Sequence, residues 1–220
     1  MIKLILTFFS LTPLRLNHFI GSMVGRYLYA VNSDAKALVS RNIKLCFPNL
    51  TSDQQQLLIK KSLIETGKGL TESSFIWFKD FKTNARYITK TTGMEYLNSE
   101  KPTILLVPHF GCWEITGRVL SLTKPVTFLY KPLRSKRQES CLFSRRQREN
   151  LSMATADKKG VIKLQRAINN HELIGILPDQ YPGEDGGILA NFFGHNAQTM
   201  TLLVKLARKN NAQVLLTWAK

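Results

Sequence analysis

Cysteine is scarce in this 220-residue chain: Cys46, Cys112 and Cys141 stand far apart and form no CxxC pair. That argues against a disulfide framework or a zinc site and suits a reducing compartment. Carboxylates are few as well, 15 against 31 Lys and Arg, which leaves a formal net charge of +16 and a pI near 10.0. A surface so short of negative charge favours an anionic partner, whether nucleic acid, an acidic protein or phosphate-bearing lipid. Long apolar runs are also missing. The opening stretch "LILTFFSLTPL" is broken by Pro13, Arg15, Asn17 and His18, well before the roughly 20 apolar residues of a spanning helix, and no A-x-A-type cleavage site follows. There is no repeat or low-complexity tract, and "PGEDGG" at 182–187 is the only glycine-rich loop.

What is present divides into a helical first part and an alternating second part. Hydrophobic residues make up 44% of the chain, enough for one substantial core with a small accessory lobe. Leu16, Phe19, Ile20, Met23, Val24, Tyr27, Leu28 and Val31 recur at helical spacing, so residues 1–31 read as an amphipathic helix behind a short apolar segment. Two readings of that stripe stand side by side: a helix packed on its own domain, or an in-plane membrane helix with Phe8 and Phe9 beside basic residues. Residues 34–46 and 53–79 read as further helices, the second capped by Thr51 or Ser52. From Thr103 the runs "TILLV", "VTFLY", "LIGIL" and "QVLLTW" alternate with helical stretches at 114–122, 137–150, 160–170 and 199–209. This predicts an α/β domain over 32–220, with a central mixed β-sheet flanked by helices and preceded by the N-terminal helical region.

The chemistry concentrates in "VPHFGCWEI", 107–115. His109 follows a strand, Gly111 permits a tight turn, and Glu114 falls in the first turn of the next helix. Loops leaving the C-terminal ends of strands are where α/β sheets bind ligands. A carboxylate returned to one imidazole nitrogen fixes the tautomer and stabilises the imidazolium formed when histidine takes a proton. No nucleophilic serine accompanies the pair, so the hydroxyl would come from the substrate, which points to acyl transfer to an acceptor alcohol. Taken singly, an HxxxxE spacing is more often a loop histidine and an unrelated glutamate.

It does not stand singly. "VPHFGCWE" resembles the HxGNWE block of the bacterial lipid A biosynthesis acyltransferases, the late lauroyl and myristoyl transferases of the lysophospholipid acyltransferase superfamily. In the family's order follow blocks resembling "SRNIKLCFPNLT", "GKGLTESSFIWF", "LYKPLRS", "RRQRENLSM", "KKGVIKLQRAI", "GILPDQ" and "NFFGHNAQTMT". The resemblance implies an acyl group moved from an acyl carrier protein thioester to a hydroxyl of an anionic glycolipid at the cytoplasmic face of the bacterial inner membrane. His109 would be general base and Glu114 its orienting partner; no cofactor, metal or nucleic acid is implied. Backbone N–H groups near Gly111 are candidate oxyanion donors. Lys131, Arg146 and Arg148 match basic blocks suited to phosphate, and Asp179 ends the "LIGIL" strand as a further substrate-binding candidate.

Two features depart from the family pattern. Cys112 stands where asparagine is usual, and as a small thiol it reads as packing. The family also generally continues for several tens of residues past "LLTWAK", so the chain reads as C-terminally short. The alternatives are a glycerophospholipid-type acyltransferase, which usually carries Asp where this chain has Glu114, and a basic nucleic-acid-binding protein, whose zinc spacings and aromatic RNP-type strands are missing.

Overall fold

The computed structural model describes residues 2–31, 33–132, 139, 143, 145–147, 150–184 and 186–220. It divides into two compact units, one of residues 1–78 with 190–197, the other of 79–189 with 198–220.

The first unit is built on one long helix. Helices α1 (Ile2–Leu11), α2 (Leu14–Ala30) and α3 (Asp34–Cys46) all pack on α4 (Ser52–Phe78). The start of α4 is fixed by a reciprocal capping box: Thr51 N–H donates to Gln54 Oε1 at 2.9 Å, and Gln54 N–H donates to Thr51 Oγ1 at 3.3 Å. Pro48 closes off the helix before it, as its missing N–H and its bias on the preceding residue require.

The face that α2 buries is not its apolar one. Its buried residues are Asn17, Gly21 and Gly25, four apart, and they meet α4 at Gly67 and Thr71. A Cβ at Gly21 would lie 2.5 Å from the Gly67 carbonyl oxygen, so the two backbones are in contact. Thr71 Oγ1 donates to the Asn17 carbonyl at 2.8 Å, and Asn17 Nδ2 donates to the Phe9 carbonyl at 2.8 Å, tying α1, α2 and α4 together. The apolar stripe faces outward, with Phe19 64% and Tyr27 65% exposed and Met23 half exposed. No helix among the described residues is long and apolar enough to cross a membrane.

The second unit is a doubly covered sheet. Strands β1 (Thr103–Leu106), β2 (Val126–Tyr130), β3 (Leu151–Thr155), β4 (Leu173–Ile176) and β7 (Gln213–Leu216) lie in the order β3-β2-β4-β1-β7. Every neighbouring pair is parallel, so this sheet is not mixed. The crossovers explain why: after a short helix α5 (Phe81–Ala85) at the start of this unit, α6 (Trp113–Leu120) links β1 to β2 and α7 (Lys158–Asn169) links β3 to β4, and a helical crossover returns a strand in parallel. Alternation sorts the two cores. Leu105, Val107, Phe128 and Leu173 pack with Leu120 of α6, while Ile104, Leu129, Ile174 and Ile176 pack with Leu164 and Ile168 of α7 and with Leu206 of α8 (Leu202–Asn210).

A separate hairpin pairs β5 (Gly187–Phe192) with β6 (His195–Met200) through a two-residue turn at Phe193 and Gly194. Neither it nor β3 is foreseen from the sequence. β3 is an edge strand, Leu-Ser-Met-Ala-Thr, with only Leu151 and Ala154 buried, and β6 ends in residues 199–200 that patterning assigns to a helix beginning at 199. The expected helix over 137–150 falls mostly outside the described residues.

The α2–α4 contact yields a paired prediction. Gly21→Leu forces the two backbones apart and should destabilise by about 1–3 kcal/mol, the usual cost of overpacking. Gly69→Ala, in α4 where an added Cβ meets nothing within 4 Å, should stabilise by roughly 0.5–1 kcal/mol. Thermal midpoints of the two variants check this, and equal midpoints would contradict the close approach.

Candidate active site

The site lies beyond the C-terminal ends of β1 and β4, and the sheet register builds it. Leu106 pairs with Ile176, and Val107 N–H donates to the Ile176 carbonyl at 3.0 Å. Each chain then runs the same distance outward, to His109 and to Asp179. The Asp179 carboxylate grips the histidine twice: Oδ2 accepts from the His109 backbone N–H at 2.7 Å, and Oδ1 lies 2.9 Å from Nδ1. A carboxylate only accepts, so it fixes the proton on Nδ1 and leaves a lone pair on Nε2. The Gln180 side-chain amide lies 3.2 Å from that Nε2.

The turn after His109 is set by Gly111, at φ +61°. A Cβ there would lie 2.0 Å from the Ala219 carbonyl oxygen, which accepts from Cys112 N–H at 2.8 Å. Glycine is therefore required on two grounds, dihedral and space. Cys112 is half-buried at the N-cap of α6, in keeping with a packing role.

Helix α6 then presents Trp113 and Glu114 in different directions, since successive helical residues are turned by about 100°. The Trp113 ring meets the His109 ring edge-on at 4.7 Å between centroids. Glu114, 8% exposed, forms an ion pair with Arg146, whose guanidinium also lies 5.6 Å from the Trp113 ring centre. The carboxylate on Nδ1 is thus Asp179, where the sequence leads one to expect Glu114. Arg146, a candidate for phosphate, is engaged by the buried Glu114 carboxylate.

Tyr130, at the end of β2, packs its ring 5.7 Å from that of Phe143. Burial, together with a hydrogen bond to Glu139, pushes its phenol up to about 12, so it stays protonated at neutral pH. Lys131 beside it is exposed, and Arg148 lies outside the described residues. His109, Gly111, Glu114, Arg146 and Asp179 therefore fall within one unit. Trp113 and Gln180 are the participants that sequence reasoning missed, although both sit inside quoted blocks, one residue from Glu114 and Asp179.

Comparison with known proteins gives this geometry a context. The model of the family described as bacterial lipid A biosynthesis acyltransferase matches residues 2–218. The lipid A biosynthesis lauroyltransferase of Escherichia coli (strain K12) is 29% identical over 88% of this chain and 64% of its own length. The palmitoleoyltransferase of the same organism is 24% identical over 90% and 65%, and a lipid A biosynthesis acyltransferase of Haemophilus influenzae is 24% identical over 94% and 66%. The chain thus spans just under two thirds of the length of these relatives. With a match that runs from the first helix to beyond the last strand, the chain belongs to the bacterial lipid A biosynthesis acyltransferase family.

Proposed function

We propose that the chain transfers a fatty acyl group from an acyl carrier protein thioester to a hydroxyl of a lipid A precursor, with His109 as general base. The observation that carries this reading is the double grip of Asp179 on His109, which leaves Nε2 as the basic atom at the C-terminal edge of a parallel sheet. Nε2 takes the proton of the acceptor hydroxyl as its oxygen attacks the thioester carbonyl. The tetrahedral intermediate collapses with cleavage of the carbon–sulfur bond, and the imidazolium returns its proton to the departing thiolate. Asp179 stabilises the imidazolium in between.

The oxyanion needs a donor. In the 110–112 turn, Phe110 N–H is engaged by the Pro108 carbonyl and Cys112 N–H by Ala219, so Gly111 N–H is the amide we assign to it. Gln180 lies where an acceptor hydroxyl would approach Nε2, and its amide must yield to that group. Glu114 contributes through Arg146 and Trp113 by holding the wall against which the imidazole rests. Lys131, exposed beside the site, is assigned to an anionic group of carrier or glycolipid, as is Arg148 from its sequence block.

A membrane surface is the proposed place of reaction, at the cytoplasmic face of the inner membrane, and no nucleic acid is involved. What supports this is the inverted helix α2, which buries glycines and shows Phe19, Met23 and Tyr27 outward. A helix that hides its small residues and exposes its apolar stripe is suited to lie in a lipid interface.

His109→Ala should abolish transfer from an acyl carrier thioester to the glycolipid acceptor. Asp179→Asn and Glu114→Ala should each lower kcat by roughly two to four orders of magnitude, the range of acid/base contributions. Wild-type rates in folded His109→Ala protein would refute the general-base assignment, and wild-type rates in Asp179→Asn would refute the pairing. Vesicle binding is the second check. Phe19→Ser with Met23→Ser should weaken cosedimentation with anionic vesicles, and added salt should release only part of the wild-type protein, because screening acts on charge and not on apolar insertion. Unchanged sedimentation of the double variant would remove α2 from the interface.

A further inference from the structure

Between Gly186 and Val204 the chain carries no Asp, Glu, Lys or Arg, a gap of 19 residues in a protein that is 21% charged. The β5–β6 hairpin occupies most of that gap, and its tip belongs to the helical unit. Solvent-facing hairpins are ordinarily edged with charge. This one exposes Phe192 at 61% and Phe193 at 51%.

The turn itself is unusual. Phe193 has φ +52° and Gly194 φ +80°, and a two-residue turn with both central residues in this region favours Asn-Gly or Gly-Gly. An aromatic residue held there is strained, and strain of this kind persists where surrounding contacts over-determine it. Those contacts are present: Phe193 meets the Phe47 ring at 5.5 Å, and His195 Nε2 donates to the Leu45 carbonyl at 3.2 Å. The tip is thereby seated on the C-terminal end of α3.

Helix α3 continues the surface. Its inner face is Ala35, Val39 and Ile43, packed in the core of the helical unit. Leu38 and Leu45, two turns apart on another face, are exposed along with Phe47. Arg41 lies between the two leucines and Lys44 beside them, both exposed, and residues 35–52 contain no Asp or Glu. The result is an apolar, aromatic patch with cations at its edge and one carboxylate, Asp34, a turn before Leu38 at its far end. Large exposed apolar patches mark interaction sites.

We propose that α3 and the hairpin tip form a second membrane contact, separate from α1 and α2, that seats on an anionic phospholipid surface. Five apolar side chains against two cations fit insertion into a lipid interface, with Arg41 and Lys44 meeting headgroup phosphates. A docking surface for an acidic carrier protein would invert that balance. The contact rests on the reading that the protein works at a membrane, and it adds a second point at which the helical unit meets it.

Cosedimentation of the full chain with vesicles of phosphatidylcholine, with and without phosphatidylglycerol, tests this. Leu45→Ser with Phe192→Ser should lower partitioning several-fold on both vesicles. Arg41→Gln with Lys44→Gln should lower it only where phosphatidylglycerol is present. Ile162→Ser, an exposed apolar residue of α7, should behave as wild type. Circular dichroism and the thermal midpoint establish that each variant is folded, and Leu38→Ser replaces the double apolar variant should that one fail to fold. Wild-type sedimentation of the folded apolar variants overturns the second contact, while a loss confined to Phe19→Ser with Met23→Ser leaves the membrane reading standing. Failure of the wild-type chain to sediment overturns both. Unchanged sedimentation with a raised KM for acyl carrier thioester assigns the patch to the carrier and overturns the lipid proposal.

Discussion

The register between β1 and β4 is the constraint on which the site depends. Both strands are buried on both faces, with Ile104, Leu105, Ile174 and Ile176 inaccessible or nearly so. A slip of one residue would exchange the two cores, sending Leu105 to the α7 side and Ile104 to the α6 side. The hydrophobic pattern therefore locks the pairing, and the locked pairing delivers His109 and Asp179 to the same height above the sheet. The two are 70 positions apart in sequence, yet the carboxylate meets both an amide and the imidazole of one residue. Precision at the site is thus inherited from apolar packing beneath it. Gly111 completes the arrangement by letting the chain after His109 pass against the end of β7.

The helical unit follows a different logic. Its long helix α4 accepts α2 through glycines, at a distance that side chains would forbid, and polar links from Thr71 and Asn17 fasten the contact. Backbone proximity and hydrogen bonding hold the middle of this contact, and apolar packing enters only at the end of α2, where Leu28 and Tyr29 meet Ile59 and Leu63. His18 Nε2 adds a 2.7 Å hydrogen bond to the Glu72 carboxylate on the same pair of helices. The stripe from Phe19 to Tyr27 is consequently left outward because the unit's own cohesion does not use it.

Much of this fold is legible in the sequence. The four apolar runs become β1, β2, β4 and β7, the helices expected at 34–46 and 53–79 appear at 34–46 and 52–78 as caps and proline dictate, and His109, Glu114 and Asp179 fall in one unit, with Asp179 against the imidazole. The partner of His109 is not legible, because the Glu114 spacing is local and the Asp179 contact is made by strand order, which no local pattern encodes. The hairpin escapes for another reason: Phe193 occupies a turn position that sequence rules reserve for Asn or Gly. The periodic stripe of α2 is correctly helical, but periodicity names an apolar face without saying what will cover it.

The small number of carboxylates, 15 in all, gives their placement meaning. Asp80 and Asp157 cap helices, held below the usual carboxylate range chiefly by backbone N–H groups of Thr83 and Gly160. Glu72 meets His18, Glu114 meets Arg146, Glu139 meets Tyr130, and Asp179 meets His109. Each of these acids is engaged by a specific donor. Glu114 illustrates the consequence: a nearly buried carboxylate without Arg146 would carry a desolvation penalty of several kcal/mol, so the pair stands or falls together, and with it the support of Trp113 against the imidazole. Acids used in this way do little to neutralise the surface, and the excess of Lys and Arg, 31 against 15 carboxylates, gives the chain its sign. The same scarcity thus has two effects, a defined set of internal contacts and a basic exterior whose field attracts anions.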